Sequence, residues 1–292
     1  MTPERWAHRL SHVLNSVLGA DRFPVQVAQF AREYSHQVFP KDPVSAVLGD
    51  DLPGFDGALM KAPPGHIGWG IIYNDRIASP GRINFTLAHE FGHYLLHRTQ
   101  FPDGLQCGEQ DVVRWDSAYR QIEHQANVFA ATFLMPLDDY RKQIPPDARI
   151  DLDMLGACAD RYRVSLIAAT LRWLEYTHRR AVLVIARDGY ILWARASRSA
   201  LKSGAFFRTS GPPIAIPPQS LAANALRDST RSPTELDAGV WFAEPCSEMV
   251  VFSEAYDFTI SVLQLGATVR GAERYDPLEE QIEDLSDRMR GA

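Results

Sequence analysis

Cysteine is scarce in this chain. Three residues, Cys107, Cys158 and Cys246, stand far apart in 292 positions, which argues against a disulfide framework. Long apolar runs are also missing, and no stretch approaches the roughly 20 residues a membrane-crossing helix needs. The segment MTPERWAHRLSHVLNSVLG interrupts its apolar residues with Arg5, His8, Arg9 and His12, so it lacks the core of a secretory leader. A cytoplasmic protein without a membrane partner is the expectation. Positive charge is not in excess: the net charge of −6 excludes a molecule that envelops nucleic acid by bulk charge. No internal repeat is found.

What is present fits a soluble globular protein, 46% hydrophobic and 23% charged, long enough for two or three compact units. Residues 1–148 open with an amphipathic helix carrying Trp6, Leu10, Val13, Leu14, Val17 and Leu18, and a second helix follows Pro24. Extended candidates GALMKA and GWGIIYN come next, then a helical pattern through INFTLAHEFGHYLLHR and another over about 118–134. Residues 149–180 read as short helices, with Asp151 and Ser165 as N-caps, and CADRYRVSLIAATLRW is helix-turn-helix-like. Residues 181–270 are strand-rich: AVLVIA and YILWARA flank the turn Arg187-Asp188-Gly189, followed by GVWFAE, MVVFSEA and FTISVLQLG. GPPIAIPPQ reads as a loop, and 271–292 as a charged tail.

The strongest chemical signal is HEFGH at 89–93. Residues four apart on a helix lie about 40° apart around the axis and about 6 Å along it. His89 and His93 can therefore converge on one metal ion, and neutral imidazoles suit zinc. Glu90 can reach a water polarised by that ion and act as general base, then pass the proton to a leaving amine. The bland alternative is a helix that happens to carry two histidines. A catalytic zinc needs a third protein ligand, and Glu123 in IEHQANVFAATFLMP, on a helix with one apolar face, is the leading choice. Spacing leaves the reverse assignment open, with His124 as ligand and Glu123 on the surface. Asn127, one turn on from Glu123, is placed to support the site, and His97, one turn on from His93, is expected beside the metal or on the surface. Tyr119, His124 and Tyr140 are candidates for oxyanion stabilisation.

FTLAHEFGHYLLH, joined through a variable loop to EHQANVFAATFLMP, resembles the ImmA/IrrE family of zinc metallopeptidases, as does GFDGALM…IIYNDRIASPGR upstream. The resemblance implies one zinc per chain held by His89, His93 and Glu123, with Glu90 catalytic. It implies an α+β chain: a zincin-like metallopeptidase domain, a helix-turn-helix-like segment and a C-terminal GAF-like sensor domain. It also implies a site-specific endopeptidase whose substrate is a helix-turn-helix transcriptional repressor, cleaved to switch on genes for DNA damage or phage defence. Cys107 lies in FPDGLQCGEQ, between the two zinc-binding helices. It is either a loop cysteine without a role or an inhibitory fourth ligand, since thiolates bind zinc well. Cys158, in an apolar helical pattern, is expected in the core.

Between 161 and 208 ten basic residues face only two acids, with aromatics interleaved. Such a mixture can track phosphates and stack bases. The residues concerned are Arg172, Arg179, Arg180, Trp193, Arg195, Arg198, Lys202, Phe206, Phe207 and Arg208, and the ligand would be single-stranded DNA acting as an activator. The structural alternative is that the aromatics fill cores while the arginines are solvated. Two other functional classes follow: a DNA-binding regulator that keeps a peptidase-like fold, and a small-molecule sensor.

Overall fold

The computed structural model describes residues 1–108, 117–224, 230–254 and 256–267; the charged tail expected at 271–292 lies outside them. The described chain forms two compact units, one of residues 1–137 and 159–165, the other of residues 138–158 and those from 166 onward.

In the first unit, helix α1 (Pro3–Leu18) starts where Thr2 Oγ1 accepts from the Arg5 amide, and it buries Ala7, Leu10, Ser11 and Leu14 along one stripe. Helix α2 (Val27–Val38) follows. Strands β1 (Val44–Asp50), β2 (Phe55–Lys61), β3 (Trp69–Asn74) and β4 (Gly104–Gly108) form a sheet of order β1-β3-β2-β4. β1 runs parallel to β3, and the other pairings are antiparallel. Sequence reading found β2 and β3 but missed β1 and placed β4 in a loop. Both are end strands of this sheet, and β1 loses its burial after its first residue, so neither carries a strong alternating pattern.

Helix α3 (Pro80–Leu96) is capped by Ser79, whose hydroxyl accepts from the Arg82 amide, and Pro80 occupies its first turn. Twelve of its seventeen residues are buried, so it is a core helix rather than a surface one. Helix α4 (Ser117–Leu134) packs against it. Gly92 makes the approach close: a Cβ there would lie 2.9 Å from Phe129 Cδ1 and 3.4 Å from the Ala126 Cα. Phe30, Phe91, Phe129 and Phe133 fill the space beside the contact, with Phe133 5.5 Å from both Phe30 and Phe129.

Along the chain come α5 (Leu137–Gln143), α6 (Leu152–Tyr162) and α7 (Leu166–Tyr176). Asp151 caps α6 as expected, accepting from the Met154 amide at 2.8 Å. Cys158 is buried, also as expected. The second unit is built on β5 (Ala181–Arg187), β6 (Tyr190–Ala196), β7 (Thr230–Leu236), β8 (Cys246–Ser253) and β9 (Phe258–Leu265). These strands form an antiparallel sheet of order β6-β5-β9-β8-β7, with the short helix α8 (Arg198–Lys202) after β6. Asp188 and Gly189 both have positive φ, as the tight β5–β6 hairpin requires.

GVWFAE is not a strand. Its apolar character serves a loop that inserts Trp241 into the core, where the indole N–H donates to Glu248 at 2.9 Å. The strand is instead the polar TRSPTEL, end strand β7, which tolerates Pro233. Glu248 is fully buried and accepts from the Leu221 and Ala222 amides and the Ser261 hydroxyl as well. Burial pushes its carboxyl above the ordinary range, against the pull of those donors.

Asp42 ties the first unit together. Its carboxylate accepts from Trp69 Nε1 at 2.9 Å, Arg98 Nε at 3.2 Å and the Lys61 ammonium, and its carbonyl accepts from the Tyr94 hydroxyl. Burial alone would raise its pKa, but these donors and the Lys61 charge outweigh it, so the carboxyl lies below its ordinary value. A depressed folded pKa gives stability that is present above the unfolded value of about 3.9 and lost as pH falls through the folded one. Asp42→Asn should therefore be less stable at neutral pH, by about 1 kcal/mol given partial exposure. It should also lose less further stability than the parent between about pH 5 and pH 2. Urea unfolding at a series of pH values checks this; parallel curves would contradict it.

Candidate metal centre

Helix α3 carries His89, Glu90, His93 and His97, and α4 carries Glu123, Gln125 and Asn127. His89 Nε2 and His93 Nε2 lie 2.9 Å apart, and each is 3.3 Å from an oxygen of Glu123. All three residues are buried. Donors about 2.0–2.1 Å from a tetrahedral zinc would stand roughly 3.3 Å from one another, so the spacing suits such an ion.

The protonation pattern supports the same reading. His89 Nδ1 meets Asn127 Oδ1 at 2.9 Å, and an amide oxygen only accepts, so Nδ1 carries the proton and Nε2 a lone pair. His97 Nε2 meets Gln125 Oε1 at 2.9 Å, so His97 is protonated there and its Nδ1 accepts. That Nδ1 is 3.0 Å from His93 Nδ1, which must then donate, leaving a lone pair on His93 Nε2 as well. In their neutral forms the two rings thus turn lone pairs toward the carboxylate in a buried space. Such a set calls for a cation. Burial, opposed by the Gln125 hydrogen bond, holds His97 below the usual imidazole range.

Glu90, on the turn between the histidines, is 1% exposed. Strand β2 crosses it at Gly57. A Cβ at that position would lie 2.6 Å from Thr86 Cγ2 and 2.9 Å from Glu90 Oε1. Next to Gly57, Asp56 accepts two-pronged from Arg82 in the first turn of α3, at 2.8–3.0 Å. This pair fixes the start of β2 against the helix that carries the site.

Glu123, rather than His124, is the α4 residue that meets both histidines. Asn127 stands beside the site, where its Oδ1 meets His89 Nδ1. His97 is buried and linked to His93. Cys107 has its backbone on β4 opposite Gly57, not in a loop; its side chain lies outside the described residues. Tyr140 is spent elsewhere, its hydroxyl donating to the Ala169 carbonyl at 2.7 Å in a fully buried position, so it is no oxyanion group. Sequence reading missed Gly57 and Gln125. Gln125 is two residues from Glu123, about 160° away around the helix, and only its long side chain brings it back. Gly57 left a faint trace as a glycine inside an extended segment, which marks close approach by another element.

Of the residues expected to meet single-stranded DNA, four are taken up by the fold. Arg172 is buried and paired with Glu175; Arg180 is buried and holds Glu244, Ser203 and the Gly266 carbonyl. Trp193 is buried, and Phe207 packs on Trp241 and Phe242. Arg198, Lys202 and Arg208 are exposed, while Arg179, Arg195 and Phe206 are half-buried. Helix α7 is buried along nearly its whole length, so it has no open face of the kind a DNA-reading helix lays in a groove.

Gly57→Ala tests the crossing of β2 over α3. The methyl group has no room, so Glu90 and the strand must part. The expected loss is about 1–3 kcal/mol, read by thermal unfolding, with the Glu90 carboxylate displaced in a crystal structure of the variant. An unshifted Glu90 at parental stability would refute the contact.

Residues 46–174 match the family model described as the IrrE N-terminal-like domain of the M78 peptidases. The matched span includes His89, Glu90, His93 and Glu123. No curated protein matches the chain. Over residues 46–174 the chain is therefore similar to the ImmA/IrrE family of metallopeptidases.

Proposed function

We propose that the chain is a zinc-dependent, site-specific endopeptidase that cleaves a helix-turn-helix transcriptional repressor and so releases stress or phage-defence genes. The observation that carries the reading is the buried His89–His93–Glu123 cluster with Glu90 on the intervening turn. A zinc ion held there supplies a Lewis acid that brings the ionisation of water near neutral pH. Glu90 takes the proton of the attacking water and delivers it to the leaving amine. The rival reading, a DNA-binding regulator with a peptidase-like fold, is weakened by the burial of α7. The antiparallel sheet of the second unit, in the order 2-1-5-4-3 within that unit, supports a GAF-like sensor domain. For an activating single-stranded DNA, the exposed Arg198, Lys202 and Arg208 are the basic residues of the expected set that face solvent. Cys107 as an inhibitory fourth ligand is supported by its backbone register opposite Gly57, which lies against Glu90; sulfur scattering at the zinc edge of the resting protein is the expected sign.

The decisive experiment looks beside the gene for one encoding a small helix-turn-helix protein, mixes that protein with the purified chain and reads the products by mass spectrometry. Cleavage at one bond, abolished by chelation, is expected. Glu90→Gln should bind zinc as the parent does and cleave about 10²–10⁴-fold more slowly. Unchanged cleavage by Glu90→Gln would refute the role of Glu90, and an intact partner would refute the substrate.

A further inference from the structure

The hydrogen bonds behind the histidines form a directed chain. Gln125 Oε1 accepts from His97 Nε2, and His97 Nδ1 accepts from His93 Nδ1. Each link fixes the next, because a neutral imidazole carries one proton and one lone pair. Turning the Gln125 amide over would reverse the series: an N–H would face His97, His97 would donate to His93, and His93 Nε2 would hold a proton where a ligand lone pair is needed. The amide oxygen, four bonds' reach out on α4, therefore decides which nitrogen of His93 faces the cluster. His89 has the shorter arrangement, a single amide, Asn127, accepting from its Nδ1.

We propose that His97 and Gln125 are positioning residues that act through His93, holding it as the Nδ1-protonated tautomer with Nε2 as the metal-binding atom. This rests on the zinc-site reading above. The geometry ties tautomer to docking. Glu123 and Gln125 are on the same helix, so the packing of α4 on α3 brings in the third ligand and the end of the relay together. His97 is buried and Gln125 partly so, which shields the relay from water that would otherwise compete for His93 Nδ1.

The test uses the full chain and reads zinc affinity by competition with a chromophoric chelator, alongside ¹⁵N spectra of the histidine rings. His97→Phe keeps bulk but removes the acceptor, and Gln125→Ala removes the end of the chain. Both should weaken zinc binding about 10–100-fold, the usual cost of losing an outer partner of a ligating histidine. His97→Asn places an amide oxygen where Nδ1 stood and should recover most of the loss; Gln125→Glu keeps an acceptor and should bind as the parent does. In the zinc-free parent, His93 should be protonated at Nδ1, and in His97→Phe it should become a mixture of tautomers. Parental zinc affinity in His97→Phe would overturn the relay while leaving the zinc site standing, provided His93→Ala has lost binding. A loss in His97→Phe that His97→Asn does not recover would also overturn it, since packing alone would then account for the effect. Equal affinity in the parent and His93→Ala would remove the zinc site itself, and the relay with it.

Discussion

The separation of α3 and α4 governs the site. The histidines come from one helix and the carboxylate from the other, and their donor atoms must stand about 3.3 Å apart to share a zinc ion. Helices usually pack 8–10 Å apart, the shorter end requiring small residues at the crossing. Gly92 and Ala126 meet there, and a methyl group on Gly92 would strike Phe129. Gly92 lies next to His93, so the residue that permits contact and the residue that uses it are neighbours in sequence. The phenylalanine cluster then fixes the spacing from the side.

That spacing creates an electrostatic problem which the outer residues address. Lone pairs of two imidazoles and a carboxylate are forced together out of water, an arrangement that is costly without a positive charge among them. Proton transfer onto His89 or His93 would relieve it by blocking a ligand atom. The acceptors at their Nδ1 atoms, Asn127 and His97, fix the single proton of each neutral ring on its far side, so the tautomer that faces the cluster is the ligand form. The site is thus prepared for a cation by hydrogen bonds that never face it.

Some of this arrangement was legible in the sequence. His89, Glu90 and His93 declare themselves because helical spacing alone sets them together, and Glu123 does so because a carboxylate on an apolar helix face needs a partner. Asn127 follows from its place one turn on. Gln125 does not, because its position points away and only a flexible side chain returns it. Gly57 acts through an absent side chain, which no pattern of polar or apolar residues records. The end strands β1, β4 and β7 escaped for a related reason: β1 and β7 have little burial to enforce an alternating signature, and β4 is five residues long. Trp241 misled in the opposite direction, since a loop that anchors itself in a core looks apolar enough to be a strand.

Charge counting overstates what the basic segment exposes. The basic segment from 161 to 208 reads as a surplus because the neutralising groups are remote in the chain. Glu244 pairs with Arg180 from 64 residues away, and Arg187 spends its guanidinium on the carbonyls of Tyr256 and Asp257. A buried guanidinium needs such partners, since its desolvation is otherwise uncompensated. The arginines at the sheet ends therefore contribute to folding the second unit, and the same residues cannot also be offered to phosphates without giving up those bonds. Of the ten residues expected to meet single-stranded DNA, Arg198, Lys202 and Arg208 are the exposed ones, a smaller charge than the sequence displays.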